Sequence, residues 1–174
     1  MIRKATAFDI PFAAKIYDEI HEKEAQKAVT IGWVKDVYPT AKTAEDALKR
    51  GDLFVFEEDK RVVATAIINQ TQVDVYRDGD WLYDAPNEKI MVLHTLTVSP
   101  KEGKRGVGRA FVRYYEEYAA KNGCTVLRMD TNEKNAVARA FYKKLGFREA
   151  GIVPCEFNGI PGVQLVLLEK LVEK

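Results

Sequence analysis

Apolar positions along this chain switch between two periods, and the switches mark its elements. Ile90 to Val98 (IMVLHTLTV) is nine residues, nearly all β-branched, aliphatic or Thr, the pattern of a strand buried on both faces. Pro100 ends it, since proline has no N–H to give to a ladder. From Val107 the period becomes helical: Val107, Ala110, Phe111, Tyr114, Tyr115 and Tyr118 fall on one face, and the helix runs to about Lys121. Asn122-Gly123 caps it, and Thr125 to Asp130 is a short apolar strand. Strand, helix, strand within about forty residues is a right-handed crossover, so the two strands should be parallel.

Upstream, Ile2 to Ala5 is a short strand. Ile10, Ala13, Ala14, Tyr17 and Ile20 then share a helix face, with Asp9 and Pro11 suited to its first turn. The charged tail from His21 to Lys27 is expected to be solvated, which makes His21 an exposed residue. Thr30 to Thr40 reads as a loop, and Thr43 to Arg50 as a short helix ended by Gly51. Leu53 to Glu58 and Arg61 to Asn69 form an antiparallel hairpin about the turn Glu58-Asp59-Lys60. Gln70 to Lys89 has no clear period and is read as a long excursion, either acidic and solvated or facing a substrate. Downstream, Asn132 is the expected N-cap of a helix from about Glu133 to Leu145. Val137, Ala138, Phe141, Tyr142 and Leu145 should lie on its inner face, with Gly146 as its stop. Phe147 to Pro154 and Val163 to Lys170 are the last strands. No repeat or linker divides residues 1–174, so one domain is expected.

Composition narrows the classes. A net charge of +1 argues against general nucleic-acid binding, which needs a broad basic excess. Cys124 and Cys155 are too few for a disulfide scaffold or a zinc site, so no metal is expected. Without a signal-like N-terminus or an apolar run near ~18 residues, the expectation is a cytoplasmic protein away from membranes. A homodimer is left open.

The chemistry gathers after Val98. Gly103, Gly106 and Gly108 let the backbone turn with its amides unobstructed, at a helix N-terminus where free N–H groups suit an anion. Lys101, Lys104, Arg105, Arg109 and Arg113 stand there against a single Glu102, so the segment reads as a phosphate cradle. A P-loop would end in Gly-Lys-Ser/Thr, whereas this one ends Val107-Gly108-Arg109. A dinucleotide fingerprint needs a glycine where bulky Phe111 stands, although Asp130 could mimic its ribose-binding acid. Val98-x-Pro100, Gly103-x-x-Gly106-x-Gly108 and Asn135-x-x-Ala138-x-x-Phe141-Tyr142-x-x-x-Gly146-Phe147 together resemble the GNAT superfamily of acyl-CoA-dependent N-acetyltransferases. The resemblance spans at least Val92 to Phe147. It departs at Gly103, where the family usually has Arg or Gln; Lys104 and Arg105 are neighbouring sources of that charge.

The resemblance implies an α/β (α+β) fold with a central mixed, twisted sheet of about seven strands, flanked by about four helices and splayed between the fourth and fifth strands. It implies acetyl-CoA as cofactor and CoA as product. The pantetheine would lie along Leu96, Thr97 and Val98, and the pyrophosphate on Gly103, Lys104, Arg105, Gly106, Val107, Gly108 and Arg109. Asn135 would reach the same cofactor. Tyr142 occupies the family's general-acid position. A general base is needed because a lysine-like amine, with a pKa near ~10.4, is mostly protonated at neutral pH. His94 is the leading candidate, since imidazole titrates in the useful range, and Glu88 is the second. Acids from Asp74 to Glu88, with the aromatics Trp33, Tyr38, Tyr76 and Trp81, would suit a cationic small-molecule or protein amine. The alternatives are a non-catalytic acyl-CoA-binding module and a nucleotide-binding oxidoreductase.

Overall fold

The structure is a computed structural model and describes residues 1–103 and 105–173. Among these, seven strands form one sheet: β1 (Ile2–Lys4), β2 (Leu53–Glu58), β3 (Arg61–Asn69), β4 (Ile90–Val98), β5 (Val126–Asn132), β6 (Arg148–Phe157) and β7 (Ile160–Leu171). Their spatial order is β1-β2-β3-β4-β5-β7-β6. The α-helices are α1 (Ile10–Ala25), α2 (Ala41–Arg50), α3 (Val107–Lys121) and α4 (Ala136–Lys144). β4 and β5 are parallel, as the strand–helix–strand pattern requires, and their pairing runs from Ile90↔Val126 to Leu93↔Met129. The hairpin and the central strand fall where the periodicity puts them. No helix among the described residues is long and apolar enough to cross a membrane.

The chain gathers into two compact units. The first holds Met1–Val29, Trp33–Ile68 and His94–Tyr114. Here β1 pairs antiparallel with β2, and β2 with β3. Asp59 and Lys60 both take positive φ (49° and 60°), the sense that matches a hairpin's strand twist. Ala13 and Tyr17 of α1 meet Ala44 and Ala47 of α2 over Leu53 and Ile67, small residues letting the helices approach closely. α2 begins at Ala41, two positions before the expected Thr43, because Thr40 and Thr43 cap it reciprocally. His21 is a correction: it is 4% exposed rather than solvated, and its Nε2 lies 2.9 Å from the Pro39 carbonyl. A backbone group eighteen residues away supplies the partner, which helical periodicity does not reveal.

The second unit holds Thr30–Gly32, Asn69–Leu93 and Tyr115–Lys174. β7 pairs antiparallel with both β5 and β6. The Tyr115 hydroxyl lies 2.7 Å from the Met91 carbonyl and 3.0 Å from that of Arg128, one on each strand of the parallel pair. Residues 70–89 are strapped down rather than loose. Glu169, fully buried on β7, accepts hydrogen bonds from the backbone N–H groups of Leu82 (2.8 Å) and Tyr83 (3.2 Å). Arg148 pairs with the same carboxylate at 2.5 Å. A buried charge needs such partners, and removing one typically costs 3–5 kcal/mol, an order-of-magnitude figure of about this size for any such pair.

Three further readings are corrected here. Asn132 is the last residue of β5 and accepts a hydrogen bond from Lys134 N–H; Asn135 is the cap of α4, its Oδ1 accepting from Ala138 N–H at 3.1 Å. Val137, placed on the inner face of α4, is exposed. On α3 the buried residues are Val107, Phe111, Val112, Tyr115 and Ala119, while Ala110 is exposed.

Candidate active site

In the first unit, the second half of β4 carries an unusual backbone. Thr95 has φ of 51°, a left-handed conformation that a β-branched residue rarely adopts. Such strain, of order 1–3 kcal/mol (roughly), collects at functional positions. The Tyr38 hydroxyl hydrogen-bonds the Thr95 hydroxyl, and Trp33 packs edge-on to Tyr38 with ring centroids 6.0 Å apart. Trp33 and Tyr38 are therefore brought to the residue that follows His94. His94 and Leu96 are half-buried, while Thr97 is buried with its hydroxyl donating to the Thr65 carbonyl at 3.3 Å.

The glycine segment follows. Pro100–Glu102 makes one 3-10 turn, Gly106 takes φ of 80°, and α3 opens at Val107. Gly106 genuinely needs to be glycine on conformational grounds, whereas a Cβ at Gly103 would meet only the Pro100 carbonyl at 3.5 Å, an ordinary contact. The cations divide. Arg105 pairs with buried Glu102 and with Glu58 (3.0 Å), and Lys101 pairs with Glu19 (2.6 Å). Arg109 is exposed and makes no ion pair among the described residues. Lys104 lies outside the described residues. An open turn, first-turn N–H groups of a helix and an uncommitted Arg109 fit a diphosphate. Arg105, tied to two carboxylates, is a poor substitute for the charge absent at Gly103.

The second unit holds Tyr142, Asn135, Glu88, Tyr76 and Trp81. Tyr142, half-buried on α4, packs between the rings of Phe141 (5.1 Å) and Phe147 (6.0 Å). Burial, and then the charge of Asp130, push its phenol well above the ordinary tyrosine range, so it keeps its proton at neutral pH. Burial also lifts the Asp130 carboxyl to about 6, against the opposing effect of a hydrogen bond from the Tyr76 hydroxyl at 2.6 Å. Tyr76 is therefore a buried support of Asp130 and not a surface aromatic. Trp81 donates to the Tyr76 carbonyl and lies under the Arg128 guanidinium, 3.9 Å from carbon to ring centroid. Glu88 is exposed in the turn before β4, where its carbonyl accepts from Gln70 at 2.8 Å. Asn135 spends its oxygen on the α4 cap and keeps its NH2 group.

Sequence reasoning weighed Asp130 only as a ribose-binding acid and passed over Arg128. The available signal was an ionisable residue inside an otherwise apolar strand.

Residues 15–147 match the sequence profile of the acetyltransferase (GNAT) family. The chain belongs to that family. It is 32% identical over 76 residues to an uncharacterised N-acetyltransferase of Methanocaldococcus jannaschii, a stretch covering 44% of this chain and 34% of that one. It is 35% identical over 60 residues to the [ribosomal protein bS18]-alanine N-acetyltransferase of Escherichia coli, covering 34% and 40% of the two chains. The matched stretch thus spans well under half the length of these relatives. An N-acetyltransferase structure from Staphylococcus aureus superposes with a TM-score of 0.71 at 17% identity, covering 99% of this chain and 98% of the other, and so shares the fold.

Proposed function

We propose that this protein transfers the acetyl group of acetyl-CoA directly to a primary amine, without a covalent enzyme intermediate. The observation that carries the reading is the pair of titratable groups on β5 and α4. Asp130 is poised at about 6 while Tyr142 holds its proton far above neutrality. Burial raises both, which leaves one group able to take a proton near neutrality and the other able to give one, the requirement for base and acid roles. Bound acetyl-CoA would supply an activated thioester carbonyl. The N–H groups from Gly106 to Arg109, with the Arg109 guanidinium, would hold and orient the diphosphate. Asp130 removes a proton from the acceptor amine, and Tyr142 delivers one to the departing sulfur. His94, beside the strained Thr95, is the second candidate base, and Glu88, exposed in the turn before β4, the third.

The relative named for alanine of ribosomal protein bS18 supports an α-amine as acceptor, since such amines titrate near ~8 and are easier to deprotonate than lysine. Thermal unfolding with acetyl-CoA, beside matched NADH and ATP, tests the cofactor. Acetyl-CoA at 100 times its Kd should add about 2.7 kcal/mol, read as a rise of several degrees in Tm. A rise with NADH and none with acetyl-CoA would overturn the assignment.

A further inference from the structure

A cleft lies wholly within the second unit, between residues 72–87 and β5, with a volume of about 670 Å³. That is the size range of small-molecule sites. Its floor carries Arg128, only 6% exposed. The guanidinium is fixed before any ligand arrives. Nη1 donates to Gln72 Oε1 at 2.6 Å, Nη2 to the Tyr83 carbonyl at 3.3 Å, and one face lies on Trp81. These bonds use two of the five N–H donors of an arginine. Nε, itself sealed from solvent, has no partner among the described residues, and the second N–H of Nη1 and of Nη2 is also unused. Buried cationic donors are ordinarily paired, and an incompletely used one lining a cleft points to an acceptor from outside. The fork geometry of guanidinium favours a carboxylate.

The rest of the lining carries Asp74, Asp80 and Asp84 against Arg77 alone, so its net sign is negative. Asp74 and Asp84 line the same cleft, both exposed, and neither forms a hydrogen bond or ion pair among the described residues. Burial lowers the proton affinity of Arg128, and Glu169 first and Asp84 more weakly oppose it through space. A buried cation beneath two uncommitted carboxylates asks for a ligand with an anion at one end and a cation at the other. We propose that this cleft binds a small zwitterion, an amino acid or short peptide. Its carboxylate sits against Arg128 and its ammonium between Asp74 and Asp84. The site stands on its own geometry and does not depend on acetyl transfer.

The test is calorimetric titration of the full chain without acetyl-CoA. The probes are L-alanine, the dipeptide Ala-Ala, its C-terminal amide and its N-acetyl derivative. The zwitterions should bind at least about tenfold more tightly than either blocked dipeptide, since each blocked form lacks one charge-assisted contact. L-alanine matching Ala-Ala would identify a free amino acid as the ligand, and a clear preference for Ala-Ala a peptide. Arg128→Gln should reduce Ala-Ala to the affinity of its amide and leave the amide unchanged. Because Arg128 also braces residues 72 and 83, Asp74→Asn and Asp84→Asn at the exposed rim provide the independent check. Each should weaken Ala-Ala and leave the N-acetyl form unaffected. Equal binding of the amide and the zwitterion, indifference to the rim variants, or no heat at millimolar probe would overturn the proposal.

Discussion

Asp130 and Tyr142 are where single atoms decide behaviour. Burial lifts the Asp130 carboxyl from its ordinary 3.8 to about 6, so the folded state holds that proton more tightly than the unfolded chain does. Its contribution to stability is therefore fully present below about pH 4, falls as pH rises through about 6, and stays lost above that, a swing of up to about 3 kcal/mol. Asp130→Asn should consequently raise stability by about 1–3 kcal/mol near pH 8 and give no gain near pH 4, measured by denaturant unfolding at the two pH values. The same variant should lower kcat and remove the limb of the rate profile centred near 6, where the base loses its proton. If the limb survives, Asp130 is not the base. Tyr142→Phe should cut kcat by about 10²–10⁴ with acetyl-CoA affinity little changed, read from steady-state kinetics and the thermal shift together. A kcat equal to that of the wild type would remove Tyr142 from the proton path.

Among elements, β4 shows which information travels in sequence and which does not. Its nine-residue span is legible because β-branched and aliphatic residues fill it and Pro100 stops it. Its irregularity at Thr95 is not legible: threonine is a good strand former, and nothing in IMVLHTLTV announces a positive φ. Comparing two substitutions isolates the strain. Thr95→Ala and Thr95→Gly both lose the hydroxyl partner of Tyr38, but only glycine is at ease at φ of 51°. Thr95→Gly should be more stable than Thr95→Ala by about 1 kcal/mol in chemical denaturation. Equal stabilities would mean the backbone there relaxes at no cost. Caps follow the same rule of locality. Gly51 and the Thr40–Thr43 box lie beside the helix they serve, whereas the choice between Asn132 and Asn135 depended on how far β5 pairs with β7. His21, Asp130 and Glu169 depend on partners 18, 54 and 86–87 residues away, which no window of sequence brings together.

Over the whole molecule, the seven-stranded mixed sheet and the family could be anticipated because two motifs at a fixed separation are highly specific, while the acceptor could not. Tyr76 was expected to face a substrate, yet it serves the interior, as Tyr17 and Tyr115 do. Tyr17, Tyr76 and Tyr115 are each at most 2% exposed, and burial drives all three phenols well above their usual range. With Tyr142, whose phenol burial raises in the same way, they are four of the eight tyrosines in the chain. Phenolate absorbs near ~295 nm and phenol does not, so these residues act as a built-in optical reporter of integrity. In an alkaline titration, absorbance should climb first to a level short of eight phenolates. The remainder should arrive in one steep step when the structure collapses, coincident with loss of the far-ultraviolet circular dichroism signal. A smooth single titration of all eight, completed while dichroism is intact, would mean that hydroxide reaches the interior without unfolding it. Because the step needs neither dye nor substrate, it offers a way to follow this protein's folded population before its acceptor is known.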